Sequence, residues 1–137
     1  MRTKCASLAA LALSLLLGAC GPAPRRADPA APLTLTEESS GQRFDVEVGQ
    51  EVIVRLASNR TTGYQWTLAD SRSALMAVVG EPQYEPPAQT HLGVGGTETW
   101  RLKAMTKGQV ALVFEYRRPW DKVLPPARTA SFTFLAR

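Results

Sequence analysis

The chain has 137 residues, with 16 lysines and arginines against 12 carboxylates, a net charge of +4, two cysteines and one histidine. So slight a basic surplus excludes the electrostatic footprint of a nucleic-acid binder and of a polybasic membrane patch. So few Cys and His side chains supply no convincing metal-ligand set.

Residues 1–19 read as a secretory signal. Arg2 and Lys4 make a basic start, residues 5–17 are an apolar run too short to span a bilayer comfortably, and "LGAC" places small residues directly before Cys20. The stretch resembles a bacterial lipobox, which implies cleavage before Cys20, a lipid on its thiol and a place in the cell envelope. Gly21, where Asp would retain the protein at the inner membrane, points to the outer membrane, facing periplasm or cell surface. The competing readings are an ordinary signal with an incidental Cys and an uncleaved anchor helix. Cleavage takes two basic residues and leaves a net charge near +2. With Cys5 removed and Cys20 lipidated, no disulfide can form within the domain, so its core must hold it. Residues 20–32 follow as the lipidated Cys and an extended tether, "GPAPRRADPAAP", with four prolines and no large apolar residue.

Residues 33–137 carry the pattern of strands. Leu33–Thr36 is a short candidate. Phe44, Val46 and Val48 alternate with Asp45 and Glu47; Val52, Val54 and Leu56 share a face, as do Tyr64, Trp66 and Leu68. Residues 75–81 are a weaker candidate, with at most one helical turn over residues 70–76. Trp100, Leu102 and Ala104 come next, then Val110, Leu112, Phe114 and Tyr116, and last Ala130, Phe132 and Phe134. A period of two buries one face and wets the other. About eight such strands, separated by turn residues, predict a single all-β domain, an antiparallel β-sandwich.

If each strand runs opposite to its predecessor, the connections after the third, fifth and seventh emerge at one end. They are "SNRTTG" (58–63), "PPAQTHLGVGG" (86–96) and "RRPWDKVLPPA" (117–127). In the first, Asn59 and Gly63 are turn formers, while Thr61 and Thr62 offer short hydroxyls. Alone it reads as a hairpin corner, and the sequon Asn59-Arg60-Thr61 is taken as coincidence. In the second, Gly93, Gly95 and Gly96 around Val94 would let backbone approach another surface, or make a slack loop. A strand and not a helix follows, without a Lys-Ser/Thr pair, so it is no phosphate cradle. His91, with no second ligand nearby, is expected to be an exposed loop residue. In the third, Trp120 follows Pro119 off the strand period, among Arg117, Arg118, Asp121 and Lys122. It is either folded back under the loop or offered to a partner. Partner contact is the favoured reading, because Trp and Arg most often carry interface energy. Trp66 and Trp100, by contrast, fall on core stripes.

Taken in order, Asn59, Thr61, Thr62, Gly63 and Tyr64, then Gly93, Gly95 and Gly96, then Arg118, Pro119 and Trp120 resemble the three motifs of the chagasin family. Those motifs are an N-P-T-T-G-aromatic loop, a G-x-G-G loop and an R-P-aromatic loop, and the resemblance spans about residues 33–137. It implies an immunoglobulin-like sandwich that inhibits papain-like cysteine peptidases reversibly and without covalent chemistry, as a monomer with no cofactor. Loops 58–64, 91–97 and 117–121 would fill the active-site cleft. The Thr-Thr-Gly tip would reach the catalytic Cys–His pair, the Gly-rich loop with Val94 would pack on one wall, and Arg118 and Trp120 would grip the other. Arg60 stands where the family has Pro, a residue that would lower the entropy cost of ordering the loop. Two rivals remain. One is an envelope-tethered binding or assembly module without inhibitory activity. The other is an enzyme, for which a lone His and the carboxylates Glu85 and Asp121 make no positioned set.

Overall fold

The computed structural model describes residues 30–70, 72–89 and 93–137. The signal, Cys20 and most of the tether lie outside these residues, as does His91. Among the described residues nine strands form two packed sheets: β1 (Leu33–Thr36), β2 (Arg43–Val46), β3 (Glu51–Ser58), β4 (Gln65–Leu68), β5 (Met76–Val78), β6 (Gln83–Glu85), β7 (Gly96–Ala104), β8 (Gly108–Arg117) and β9 (Arg128–Ala136). One sheet has the order β1-β3-β7-β5, with β6 also paired to β7; the other has the order β2-β9-β8-β4.

Successive strands alternate in direction, with β5 and β6 acting as two pieces of one segment. The break between them contains Gly80, at φ 71°, and Pro82, which cannot donate to a ladder. β6 is the strand that alternation did not reveal. Its three residues are too few to show a period, and its pairing comes from the edge of β7. The sheets also differ from an all-antiparallel sandwich in their choice of neighbours. β1 pairs with β3 and β2 with β9, strands that run the same way, so both of these pairings are parallel and both sheets are mixed.

The predicted apolar stripes meet between the sheets. Val52, Val54 and Leu56 of β3 and Trp100, Leu102 and Ala104 of β7 are buried against Leu112, Phe114 and Tyr116 of β8 and Ala130, Phe132 and Phe134 of β9. Phe114 is the hub, with Trp100 edge-on at 5.3 Å and Phe132 edge-on at 6.0 Å, the geometry that ring quadrupoles favour. Val48 departs from its stripe: β2 stops at Val46, and Val48 is exposed in the following turn. The helical turn considered at residues 70–76 does not form among the described residues of that stretch. There the Asp70 carboxylate accepts from Arg72 N and the Ser73 hydroxyl from Leu75 N and Met76 N, so side chains take donors a helix would use. Short 3-10 turns occur instead at Glu37–Ser39 and Arg60–Thr62.

Register places the three long connections together. Ser58, ending β3, lies opposite Gly96, which begins β7. Arg117, ending β8, lies opposite Gln65 of β4, and Tyr116 opposite Arg128 of β9. The connections leaving these points therefore share one end, as expected. Leu33 pairs with Val52 and Gly108 with Ala136 at the other.

Candidate functional site

The first loop is a 3-10 turn closed at both ends by its own sequence. Asn59, extended at φ −123° and ψ 93°, is the N-cap: its Oδ1 accepts from Thr61 N at 3.2 Å and from the Thr61 hydroxyl at 2.6 Å. The Thr62 hydroxyl donates to Asn59 O at 2.6 Å. Gly63 N donates to Arg60 O, and Gly63 ends the turn in the left-handed region at φ 78°, where an L side chain is strained. Asn59 N donates to Tyr116 Oη at 2.8 Å, which ties the turn to β8. The two threonine hydroxyls thus donate within the loop and order the tip.

The second loop is built on close approach. A Cβ on Gly95 would stand 2.9 Å from Ser58 O and 3.3 Å from the Asn59 side chain. A Cβ on Gly96 would collide with Glu85 O and the Tyr84 ring. These two glycines therefore let the second loop lie on the first loop and on β6, inside the protein. Gly93, at φ 90°, has nothing within 4 Å of such a Cβ, and Val94 is exposed. The backbone left open toward solvent is that of Gly93 and Val94.

The third loop crosses above the first. Asp121 N donates to Arg118 O at 3.1 Å, a turn that carries Pro119 and Trp120. Trp120 is 72% exposed, yet one edge of its indole lies so close to Gly63 that a Cβ there would be 2.7 Å from Cη2. The ring is neither folded under its loop nor free: it rests on the tip of the first loop with its other surfaces in solvent. The Arg118 guanidinium is stacked 4.8 Å above the Tyr64 ring. Tyr64 in turn stacks on Tyr116 at 5.3 Å, and Tyr116 carries the Arg128 guanidinium at 4.4 Å.

This Arg118–Tyr64–Tyr116–Arg128 pile runs down from the third loop through the first into β8 and β9. Arg128 ends it by pairing with both oxygens of Glu37 at 3.1 and 3.0 Å and by donating to Ala57 O at 2.6 Å. Cation–aromatic contacts contribute about 0.5–1 kcal/mol each at partly exposed sites. Tyr64 precedes β4 and is half-buried, a support beneath Arg118. Arg60 turns away from the tip, its guanidinium 4.7 Å over the Tyr84 ring. Below the loops, Glu98 is buried, with Oε2 accepting from the Ser58 hydroxyl at 3.2 Å.

The structure thus brings all three predicted segments together and gives several of their residues internal work. Sequence reasoning missed Tyr84, Tyr116, Arg128 and Glu98 as parts of the site. Tyr116 sits on a core stripe, and the one available signal was its hydroxyl, which needs a partner where the strand leaves the core. Among the described residues no three His, Cys, Asp or Glu side chains converge as a metal site. Glu85 is paired with Arg55 at 3.1 Å, and Asp121 Oδ1 accepts from Leu124 N. What the arrangement can do is contact a partner with preordered backbone and one exposed indole.

The model of the chagasin family of peptidase inhibitors matches residues 45–134. Chagasin of Trypanosoma cruzi is 36% identical over 90 residues, which are 63% of this chain and 81% of that protein. Amoebiasin-1 of Entamoeba histolytica is 31% identical over 101 residues, 74% of this chain and 94% of that protein. The crystal structure of a cysteine protease inhibitor from Entamoeba histolytica superposes with a TM-score of 0.67 at 20% identity, covering 78% of this chain and 96% of that one, a likeness of fold.

Proposed function

The chain belongs to the chagasin family, a family of peptidase inhibitors and not of enzymes, and on that premise we propose that it blocks papain-like cysteine peptidases reversibly by seating its three loops in the active-site cleft. The observation that carries this reading is the convergence of an ordered narrow tip, an open Gly93–Val94 backbone and the exposed Trp120 at one end of a rigid sandwich. Residues 60–62 enter the cleft as a hydrogen-bonded turn and not as an extended peptide, so no bond is offered to the catalytic Cys in a cleavable pose. Three adjacent loops can supply the roughly 800 Å² per partner of a standard inhibitor interface. Because Asn59, Thr61, Thr62 and Tyr116 already hold the tip, little is left to order on binding.

The same reading places the protein on the bacterial envelope through lipid on Cys20, at the outer membrane, as a monomer. Its support is the run of small residues directly before Cys20, and the polarity of the fold is compatible with it. Leu33 begins β1 at the end opposite the loops, and Gln50 Nε2 donates to Ala31 O there at 2.9 Å. A tether attached at that end, reaching at most about 40 Å at roughly 3.3 Å per extended residue, leaves the three loops at the far end of the domain from its attachment.

The test is titration of papain and cathepsin-type peptidases with the full chain in detergent. The expected result is loss of activity toward one-to-one stoichiometry, with Trp120→Ala weakening inhibition and leaving the melting temperature unchanged. Full activity across such a panel at micromolar chain would sink this reading and favour an envelope-tethered binding module.

A further inference from the structure

Three of the most exposed large apolar side chains among the described residues belong to one loop: Val123 at 95%, Trp120 at 72% and Leu124 at 62%. Trp120 belongs to the three-motif pattern; Val123 and Leu124 do not. Their display is built in. Asp121 N closes one turn on Arg118 O, Leu124 N closes the next on Asp121 Oδ1 at 3.3 Å, and Ala127 N returns the chain to Tyr116 O at 2.9 Å. Pro125 and Pro126 restrict the return path. Leu124 and Pro125 border a recess with Tyr64, Arg117, Arg118 and Asp121, so the two apolar side chains adjoin the base of the third loop. A valine 95% exposed adds nothing to the folded core, and an ordered apolar loop tip beside a binding face marks a contact surface.

We propose that Val123 and Leu124 form a second apolar contact on the peptidase, on the rim of the cleft beyond Trp120, and that this contact sets which papain-like peptidases are preferred. The inference rests on the inhibitory reading above. Continuity with Trp120 on the same loop commits the surface to the same partner. The matching feature is an uncharged, apolar rim; a rim carrying Lys, Glu or Asp would be disfavoured, because its charges would be desolvated against Val123 and Leu124 without a partner.

The experiment compares inhibition constants of the full chain, V123S/L124S, V123I/L124I and Trp120→Ala across several papain-like peptidases, with melting and sedimentation of each. V123S/L124S is expected to melt like the parent and to lose about ten- to a hundredfold in affinity for the peptidases bound most tightly. It should lose little for those bound weakly, so the ranking compresses; V123I/L124I should keep the ranking, and Trp120→Ala should weaken every member. Unchanged constants for V123S/L124S beside weakened ones for Trp120→Ala would overturn the proposal and leave the inhibitory reading standing. A smaller sedimenting species with unchanged constants would assign the patch to a second copy and overturn it equally. No inhibition by the parent chain would remove both readings.

Discussion

Gly63→Ala probes the join between the first and third loops. Gly63 sits at φ 78° and ψ −1°, and the new Cβ would lie 2.7 Å from Trp120 Cη2 and 3.2 Å from Cζ2. Ordinary carbon contacts are about 3.5–4.0 Å, so the indole must move by roughly 1 Å. The left-handed backbone alone costs an L residue about 1–2 kcal/mol. Buried overpacking costs about 1–3 kcal/mol, but Trp120 is 72% exposed and can swing outward, so the steric share falls at the low end. Urea denaturation should therefore show a loss of about 2 kcal/mol. Inhibition of papain should suffer as well: displacing a contact that contributes about 2 kcal/mol raises the inhibition constant about thirtyfold. In a Trp120→Ala background the steric share vanishes, and Gly63→Ala should cost only the backbone strain. The cycle should give a coupling of about 1 kcal/mol in stability and most of the thirtyfold effect in inhibition. Equal effects of Gly63→Ala with and without Trp120 would refute the contact between ring and glycine.

Tyr116→Phe removes the acceptor of Asn59 N and should cost about 1–3 kcal/mol in chemical denaturation, with weaker inhibition because the tip loosens. Arg60→Pro should be tolerated: Asn59 already has the extended backbone a following proline requires, and Pro suits the first position of a helical turn. Its gain of about 0.4–1 kcal/mol offsets the loss of the Arg60–Tyr84 contact, so melting should shift by no more than a few degrees. Arg118→Lys keeps the charge but loses the planar stack on Tyr64, and should weaken inhibition severalfold. An inhibition constant equal to the parent's would mean that Arg118 acts through charge alone.

Alternation along the chain was enough for six of the nine strands among the described residues, because facing in or out is a property of each residue and its near neighbours; β1 and β5 read only as a short and a weaker candidate. It failed for β6, where three residues carry no period and the edge of β7 supplies the pairing. Alternating direction was also enough to gather the three loops at one end. It could not say that β1 would lie beside β3 and β2 beside β9, since direction does not determine adjacency.

Within the site, the kinds of residue were legible and several of their roles were not. Three glycines announce close approach, but only packing shows that Gly95 and Gly96 approach Ser58, Tyr84 and Glu85 within the protein and leave Gly93 to solvent. Arg118 and Tyr64 read as a grip and a strand residue; folded, one lies on the other. Asn59, Thr61, Thr62 and Gly63 lie within one turn of chain, so their capping chemistry is already written in their order. The bond between Asn59 N and Tyr116 Oη joins residues 57 positions apart, and the Arg128–Glu37 pair joins residues 91 apart. No local pattern encodes contacts of that span, because they exist only once both sheets have closed over the core.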